Sequence, residues 1–380
     1  MIALVRHALP SARNSAAPDE LEAGLQAPRR QAALACVLAA IVLVVLDAAI
    51  ANVALPALAA SLHVTPAVSV RVITIYQMAL VMALLPCAAL GESLGYRRVY
   101  TAGVALFTGA SALCAFAPSL DWLVAARFLQ GLGGACVMSL GIALLRFVVP
   151  QSQLGTAIGW NALAVALASA AGPTIGSAIL AAASWPWLFA VNLPIGAVVL
   201  LATRALPHVP GSGRKLDLVS VALNAAAFAS LVVSAELAPH NRAQAVVLFA
   251  LAALAMTALV RRELPRDAPL IPLDLLREGS FRVSVIASVC CFAGQSAAMV
   301  ALPFYLQHGL GQDALHTGLL ITPWPLTTAL VAPITGRLAD RVSGAWLCAL
   351  GGALLATGLA GAAIWPLHQT PLMLIPLVIL

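Results

Sequence analysis

Long apolar runs separated by short polar segments dominate the chain. A helix that crosses the roughly 30 Å hydrocarbon core of a bilayer needs about 20 apolar residues, at about 1.5 Å per residue. Runs of about this length recur along the sequence, and the last run is cut short by the final residue. They predict an all-α polytopic membrane protein with about 11–12 helices, at 32–58, 68–90, 99–117, 121–145, 156–182, 187–204, 216–237, 245–262, 281–307, 315–336, 344–365 and 370–380.

Composition supports a lipid environment and excludes several classes of protein. Of the 380 residues, 62% are hydrophobic and 9% are charged, whereas soluble domains carry about 25% charged residues. This excludes a soluble enzyme and a nucleic-acid-binding domain, because a compact soluble body cannot hide so much apolar surface. We expect the lipid bilayer to be a partner and nucleic acid not to be one.

The basic residues predict the orientation of the chain in the membrane. If the N-terminus is cytoplasmic, the cytoplasmic segments receive nearly all of the 20 Lys and Arg residues. The opposite loops receive only Arg71 and Arg242, and Arg127 lies within a predicted helix. We therefore predict a multi-pass protein of the cell membrane (the inner or plasma membrane) with a cytoplasmic N-terminus. A disordered cytoplasmic tail at 1–31 is expected to precede the first helix.

A short motif occurs twice, at 90–98 and at 336–344. Each copy places a leucine, a small residue and a carboxylate at a predicted cytoplasmic helix end, followed by a turn and arginines. Two copies indicate a duplicated fold with two helical halves. A carboxylate among arginines can form an ion pair that breaks when the halves rock; ordinary loop composition is the alternative. The candidate latch residues are Glu92, Gly95, Arg97, Arg98, Gly336, Asp340 and Arg341.

These two segments resemble the G-x-L-A-D-R-x-G-R-R/K loop of the major facilitator superfamily. Residues 46–56 are similar to the L-D-x-T-I-V-N-V-A-L-P signature of its fourteen-helix drug:proton antiporters, and 127–135 to the R-x-x-Q-G-x-G-x-A motif. Residues 168–177 resemble the antiporter motif G-x-x-x-G-P-x-x-G-G. Residues 185–196 resemble the W-R-W-x-F-x-x-N-x-P-x-G run, without its arginine.

The resemblance implies a domain organisation. A six-helix half at 32–204 is followed by two inserted helices with their linkers at 205–280, and a second half at 281–380 is incomplete. Antiporters of this type have fourteen helices, so we expect a chain that is truncated at its C-terminus.

Asp47 and Arg127 are the candidate proton-coupling residues. Asp47 lies about 25 Å along the first helix from Arg30, and Arg127 lies about 9 Å from Asp121 at the opposite boundary. Charged residues inside a membrane are costly and therefore suggest function. We hypothesise that Asp47 carries the proton and that Arg127 switches its charge state; a static pair that fixes helix packing is the alternative.

A face of small residues in the fifth predicted helix is a candidate antiporter gate. Ala168, Gly172 and Gly176 recur every fourth position, and Pro173 permits a kink. The resemblance implies a flexing gate that favours export. The spacing alone is also typical of ordinary helix packing.

A cavity that accepts drugs is mostly apolar, with a few polar and aromatic contacts. Any one candidate can equally be a packed residue of the bundle, and we expect only some to line the cavity. The candidates are Asn52, Tyr76, Gln77, Gln130, Trp160, Asn161, Gln295, Phe304 and Tyr305.

We therefore predict a proton-coupled secondary transporter that exports amphipathic drugs or toxic small molecules by alternating access. A transporter of other metabolites on the same fold, or a truncated remnant that does not transport, is the alternative. No Walker loop, GxSxG elbow or HExxH motif occurs, so an enzyme is not expected. We expect no cofactor and no metal, with the proton gradient as the energy source. We expect a monomer, and the sequence leaves open a periplasmic adaptor protein as a partner.

Overall fold

The computed structural model describes residues 25–213, 216–264, 278–311, 314–338, 342 and 344–364. Throughout these residues the regular structure is helical. Short helical turns at Pro66–Ser69 and Trp187–Ala190 precede α2 and α6. The longer helices are α1 (Arg29–Ser61), α2 (Arg71–Leu94), α3 (Tyr96–Ala115), α4 (Leu120–Val148), α5 (Leu154–Ala182), α6 (Asn192–Ala202), α7 (Leu218–Leu237), α8 (Arg242–Glu263), α9 (Gly279–Phe304), α10 (Ala314–Ile321), α11 (Pro323–Leu338) and α12 (Gly344–Ile364).

Nine helical segments within these described residues are long and apolar enough to cross a membrane. They include neither α3, which carries two arginines in its first turn and several small polar residues, nor α10 and α11. The predicted run at 315–336 is divided at Thr322, because a residue that precedes proline is disfavoured in the helical conformation and Pro323 begins a new helix. The predicted run at 370–380 and most of the predicted tail at 1–31 lie outside the described residues.

Contacts divide the chain into two compact units. The first is Met1–Ile158 with Ile179–Leu273, and the second is Gly159–Ala178 with Asp274–Leu380. The second unit has an apolar core of five buried side chains on α9, α10, α11 and the π-helical turn Tyr305–Gly309. Those side chains are Ala298, Leu302, Leu306, Leu320 and Trp324.

The central helix of the first unit is α4, which packs closely on both α2 and α3. Glycines make this possible because they let the backbones approach. A Cβ atom at Gly131 would collide with the Tyr76 carbonyl oxygen of α2. A Cβ atom at Gly133 would lie 2.8 Å from the Gly103 carbonyl oxygen of α3. The glycines at 131 and 133 therefore bring two neighbouring helices against α4, one on each side.

The helix pair α7 and α8 docks on α2 at a proline. Pro86 has no backbone N–H, so the Met82 carbonyl loses its intrahelical donor. The Asn224 side chain of α7 donates from Nδ2 to that carbonyl oxygen at 2.7 Å, and Asn224 is fully buried. The carbonyl that the proline leaves open is therefore the point at which α7 is attached.

Replacing Asn224 with leucine tests this attachment. Asn224→Leu removes the only described donor to the Met82 carbonyl, and we expect a loss of about 0.6 kcal/mol, with about 1.7 kcal/mol as the upper range for such bonds. Thermal unfolding of the detergent-purified protein, followed by tryptophan fluorescence, measures the loss. Thr257→Val is the matched control, because Thr257 on α8 is exposed and bonds only its own helix. Equal stability of the two variants would contradict the attachment.

Candidate functional site

A buried carboxylate on α1 is the centre of the site. Asp47 is 1% exposed and accepts three hydrogen bonds. Arg127 Nη1 of α4 donates to Oδ2 at 2.6 Å. Gln130 Nε2 donates to Oδ1 at 2.9 Å, and Asn192 Nδ2 donates to the same oxygen at 2.6 Å. Three helices, α1, α4 and α6, therefore meet on a single side chain.

Arg127 is held on more than one side. Its Nη1 also donates to Gln130 Oε1 at 2.7 Å, and its Nε donates to the Val72 carbonyl oxygen of α2 at 3.2 Å. Its guanidinium carbon lies 4.1 Å from the centre of the Tyr76 ring, a cation–π geometry. These contacts fix the orientation of the arginine against α2 as well as against the carboxylate.

Gln130 connects the carboxylate to α3. Its Nε2 donates to Ser111 Oγ at 2.8 Å as well as to Asp47. Its Oε1 accepts from Arg127 at 2.7 Å and from Cys114 Sγ at 3.7 Å. Two donated and two accepted bonds use the full capacity of a side-chain amide, so this glutamine is locked in one orientation.

Asn192 is the site residue that the sequence analysis did not single out. It appears there only within the run at 185–196, yet its fully buried amide contacts the carboxylate directly. The sequence signal that could have identified Asn192 is a single amide side chain within an otherwise apolar run. The loop before it is held by Trp185, whose Nε1 donates to Ser61 Oγ at the end of α1 at 2.9 Å and whose ring packs edge-on against Phe189.

The geometry of this site supplies the partners that a buried ion pair needs. Two opposite charges removed from water lose their solvation, and the loss is offset only when geometry and additional hydrogen bonds are good. Here the carboxylate has three donors. Of the buried side-chain polar atoms that have no partner among the described residues, three lie at this site, namely Tyr76 Oη, Arg127 Nη2 and Asn192 Oδ1. These atoms leave both donor and acceptor capacity for bound water, the usual partner of such groups.

The first candidate latch is a tight loop between α2 and α3. Gly95 has φ 101°, which favours glycine, and a Cβ atom there would lie 2.9 Å from the Val209 carbonyl oxygen. The linker after α6 binds the loop through its backbone, since Ser212 N donates to the Glu92 carbonyl oxygen at 2.8 Å. A second backbone bond, from Gly213 N to the Ser93 carbonyl oxygen at 3.1 Å, adjoins it.

The charged side chains of this loop are not joined to one another. Glu92 and Arg98 are exposed and Arg97 is half-buried. In the described part of the chain, no arginine pairs with the Glu92 carboxylate within 4.0 Å. In the second copy Gly336 lies on α11, and Asp340 and Arg341 lie outside the described residues. The hydrogen bonds described for the first loop are therefore backbone bonds to the linker after α6.

The candidate gate lies on α5, which runs unbroken through Pro173. Ala168, Gly172 and Gly176 are all buried, so the face of small residues is a buried face. Pro173 itself is half-buried.

Among the cavity candidates, the structure brings Tyr76 and Gln130 together, beside Arg127. In the first unit, Gln77 is exposed, and Asn52 is exposed and bonds the Ala48 carbonyl of its own helix. In the second unit, Trp160 and Tyr305 are exposed and Asn161 and Gln295 are half-buried. Phe304 is the last residue of α9, and its side chain is outside the described residues.

Comparison with known proteins gives relatives that include three bacterial proteins. An uncharacterized transporter, YebQ of Escherichia coli K12, is 45% identical over 352 residues, which cover 90% of this chain and 76% of YebQ. The riboflavin transporter RibZ of Clostridioides difficile is 31% identical, over 78% of this chain and 65% of RibZ. A multidrug resistance protein, MdtD of Klebsiella pneumoniae, described as putative, is 30% identical, over 78% of this chain and 64% of MdtD.

The apolar helices of the described residues are those of a polytopic membrane protein, and the family match and the relatives make it a transporter and not an enzyme. Residues 37–380 match the Major Facilitator Superfamily, and the chain belongs to that family. The expected all-α fold is thereby confirmed. The chain spans about two thirds of RibZ and of MdtD and three quarters of YebQ.

Replacing Arg127 with leucine tests the energetics of the pair. Arg127→Leu leaves a buried carboxylate without its countercharge, and we expect a loss of about 3–5 kcal/mol in stability. The double variant Asp47→Asn/Arg127→Leu removes both charges, so it should unfold at a higher temperature than the single variant. Thermal unfolding of the purified proteins measures the coupling. Strictly additive effects would contradict the ion pair.

Replacing Gly95 with alanine tests the loop between α2 and α3. The φ of 101° and the approach of the Val209 carbonyl both oppose a side chain, and we expect a loss of about 1–3 kcal/mol. Gly109→Ala on α3 is the matched control, because a Cβ atom there would meet nothing within 4 Å. Limited proteolysis should cut the linker after α6, at residues 206–213, faster in Gly95→Ala than in the unaltered protein. An unchanged rate would show that the linker does not depend on this turn.

Proposed function

We propose that the chain is a proton-coupled exporter of amphipathic drugs or other toxic small molecules, of the fourteen-helix drug:proton antiporter type, acting by alternating access. The observation that carries the proposal is the buried carboxylate of Asp47, with Arg127 Nη1 at 2.6 Å. A proton-coupled transporter needs a group that can take up and release a proton inside the bilayer. Proton relay is one of the established roles of ionisable residues buried in membrane proteins.

The arginine explains how the proton is controlled. When Arg127 contacts Asp47, the charge of the guanidinium favours the ionised carboxylate and so favours proton release. If the arginine withdraws, the carboxylate is left in an apolar surrounding, which favours the protonated acid. Tyr76 and the Val72 carbonyl offer the guanidinium other partners beside the carboxylate. The pair is therefore suited to couple a change of conformation to a change of charge.

Asn192 and Gln130 set the geometry of the proton carrier. Both amides donate to Asp47 Oδ1, and Arg127 donates to the other oxygen, Oδ2. An ionised carboxylate accepts all of these bonds, whereas a protonated one must offer a hydrogen at one oxygen. Oδ2 is the oxygen that becomes available when the arginine withdraws. In this scheme the proton binds at Oδ2.

The direction of transport is inferred from the motifs. The buried small-residue face of α5, with Pro173 in its centre, resembles the antiporter motif, and MdtD is named as a multidrug resistance protein. We propose that this face flexes as the gate, and that the loop at Glu92–Arg98 acts as the latch. The resemblance of 46–56 to the antiporter signature supports the proposal that Asp47 is the proton carrier.

A second candidate is a transporter of a vitamin-sized metabolite. It is favoured by the 31% identity with the riboflavin transporter RibZ. The buried ion pair would serve such a substrate equally well, because it contacts the proton and not the cargo. Substrate tests therefore have to include riboflavin beside a cationic drug.

The test measures proton movement that depends on substrate. The protein is reconstituted into vesicles with an acidic interior, ethidium is added outside, and a pH-sensitive dye reports proton release. We expect Asp47→Asn to lose more than about 90% of the release, because it cannot carry the proton. Asp121→Asn makes the same chemical change at an exposed position on α4 and should behave like the unaltered protein.

Four outcomes decide between the candidates. Ethidium-dependent release that Asp47→Asn abolishes supports the proposed exporter. Release that depends on riboflavin and not on ethidium supports the metabolite transporter. Unchanged release in Asp47→Asn would overturn the assignment of the proton carrier, and no release with any substrate in the unaltered protein would overturn both functions.

A further inference from the structure

Two thiols meet between α2 and α4, away from the ion pair. Cys87 of α2 and Cys136 of α4 are 49 positions apart in sequence, and their Sγ atoms are 2.8 Å apart. Both are free cysteines. Neither belongs to the hydrogen-bond network around Asp47.

Small residues bring the two thiols together. Cys87 packs in a cluster with Ala83 and Ala135, and Cys136 lies against that cluster. A Cβ atom at Gly103 of α3 would collide with Cys136 Cβ. The short side chains around the pair leave the helices close enough for the sulfurs to reach each other.

Access to the pair is partial and unequal. Cys87 is 8% exposed, and Cys136 is half-buried. Both lie inside helices that are apolar enough to cross a membrane, at Arg71–Leu94 and Leu120–Val148. A small uncharged reagent can therefore reach Cys136 through the lipid, whereas a charged one is excluded by the cost of entering hydrocarbon.

We propose that Cys87 and Cys136 form an oxidation site at which an uncharged hydroperoxide makes a disulfide between α2 and α4. Cys136, the more accessible thiol, attacks the peroxide oxygen, which gives a sulfenic acid on Cys136 and releases an alcohol, or water from hydrogen peroxide. The Cys87 thiol then displaces hydroxide from that sulfur, and water leaves. Overall, two thiols and one hydroperoxide give one disulfide, one alcohol and one water.

Cys36, Cys114, Cys290 and Cys291 have surroundings that do not favour this chemistry. Cys36 Sγ contacts the Val199 carbonyl oxygen at 3.6 Å, and Cys114 Sγ contacts Gln130 Oε1 at 3.7 Å. Cys290 and Cys291 are neighbours on one helix, so their side chains point about 100° apart. Proximity makes the intramolecular step at Cys87 and Cys136 far faster than any encounter between separate thiols.

The test uses a variant that keeps only this pair. The other five cysteines are replaced by alanine, and a protease site is inserted between Ala115 and Leu120, in the connection between α3 and α4. After treatment with tert-butyl hydroperoxide and cleavage, the two fragments should stay joined on a non-reducing gel and separate with dithiothreitol. Mass spectrometry should find the two peptides linked with the loss of two hydrogens.

Matched variants supply the controls. A variant that keeps Cys114 and Cys136 instead, one on each side of the protease site, should link at least about tenfold more slowly, because Cys114 contacts Gln130 whereas Cys136 contacts Cys87. Cys87→Ser in the unaltered background should stop the reaction at a sulfenic acid, which dimedone labels. The charged oxidant tetrathionate should act more slowly than the hydroperoxide.

A second measurement keeps the inference testable if the multiple variant does not fold. In the unaltered protein, one molecule of phenylarsine oxide should condense with the thiols of Cys87 and Cys136, with loss of water. It should block both from alkylation until a dithiol removes it. Two thiols that alkylate independently after hydroperoxide and after the arsenical would overturn the proposal. So would disulfides that join separate chains in place of α2 and α4.

Discussion

The cost of a carboxylate buried in an apolar bundle is the constraint from which the first unit can be understood. Asp47 can remain ionised there only if charge and hydrogen bonds replace the water that it has lost. Arg127 supplies the charge, and the amides of Gln130 and Asn192 supply the remaining donors. Because these groups come from different helices, the position of one side chain fixes the relative positions of α1, α4 and α6.

The same constraint explains why α4 is packed so closely. Arg127 and Gln130 are three residues apart, so they project from one face of α4 toward the carboxylate. The glycines at 131 and 133 follow directly and let α2 and α3 approach on the other faces. Their approach brings Tyr76 and Ser111 into contact with the arginine and the glutamine. A polar cluster and a run of glycines are thus two parts of one arrangement.

Much of this could be predicted from the sequence, and the reasons for the failures are physical. Apolar length predicts helices, and intramembrane charge draws attention to Asp47 and Arg127, because both effects are large and local. Asn192 was missed because a neutral amide in an apolar run has no signal of its own until its partner is known. The break at Thr322 was missed because the apolar run continues through Pro323, which interrupts the backbone without changing the hydropathy. The bonds from the 206–213 linker to the Glu92 loop join backbone atoms, and a sequence pattern does not specify these.

The proline in α2 has a consequence for how additional helices can be joined to such a protein. A helix with a missing donor exposes one carbonyl in a medium that offers it no water, and such a defect has to be filled from outside the helix. In this chain an asparagine of a later helix fills it. A helix bundle with one free carbonyl of this kind can bind two additional helices through a single amide, without a change in its interior. Helices attached in this way move together with α2.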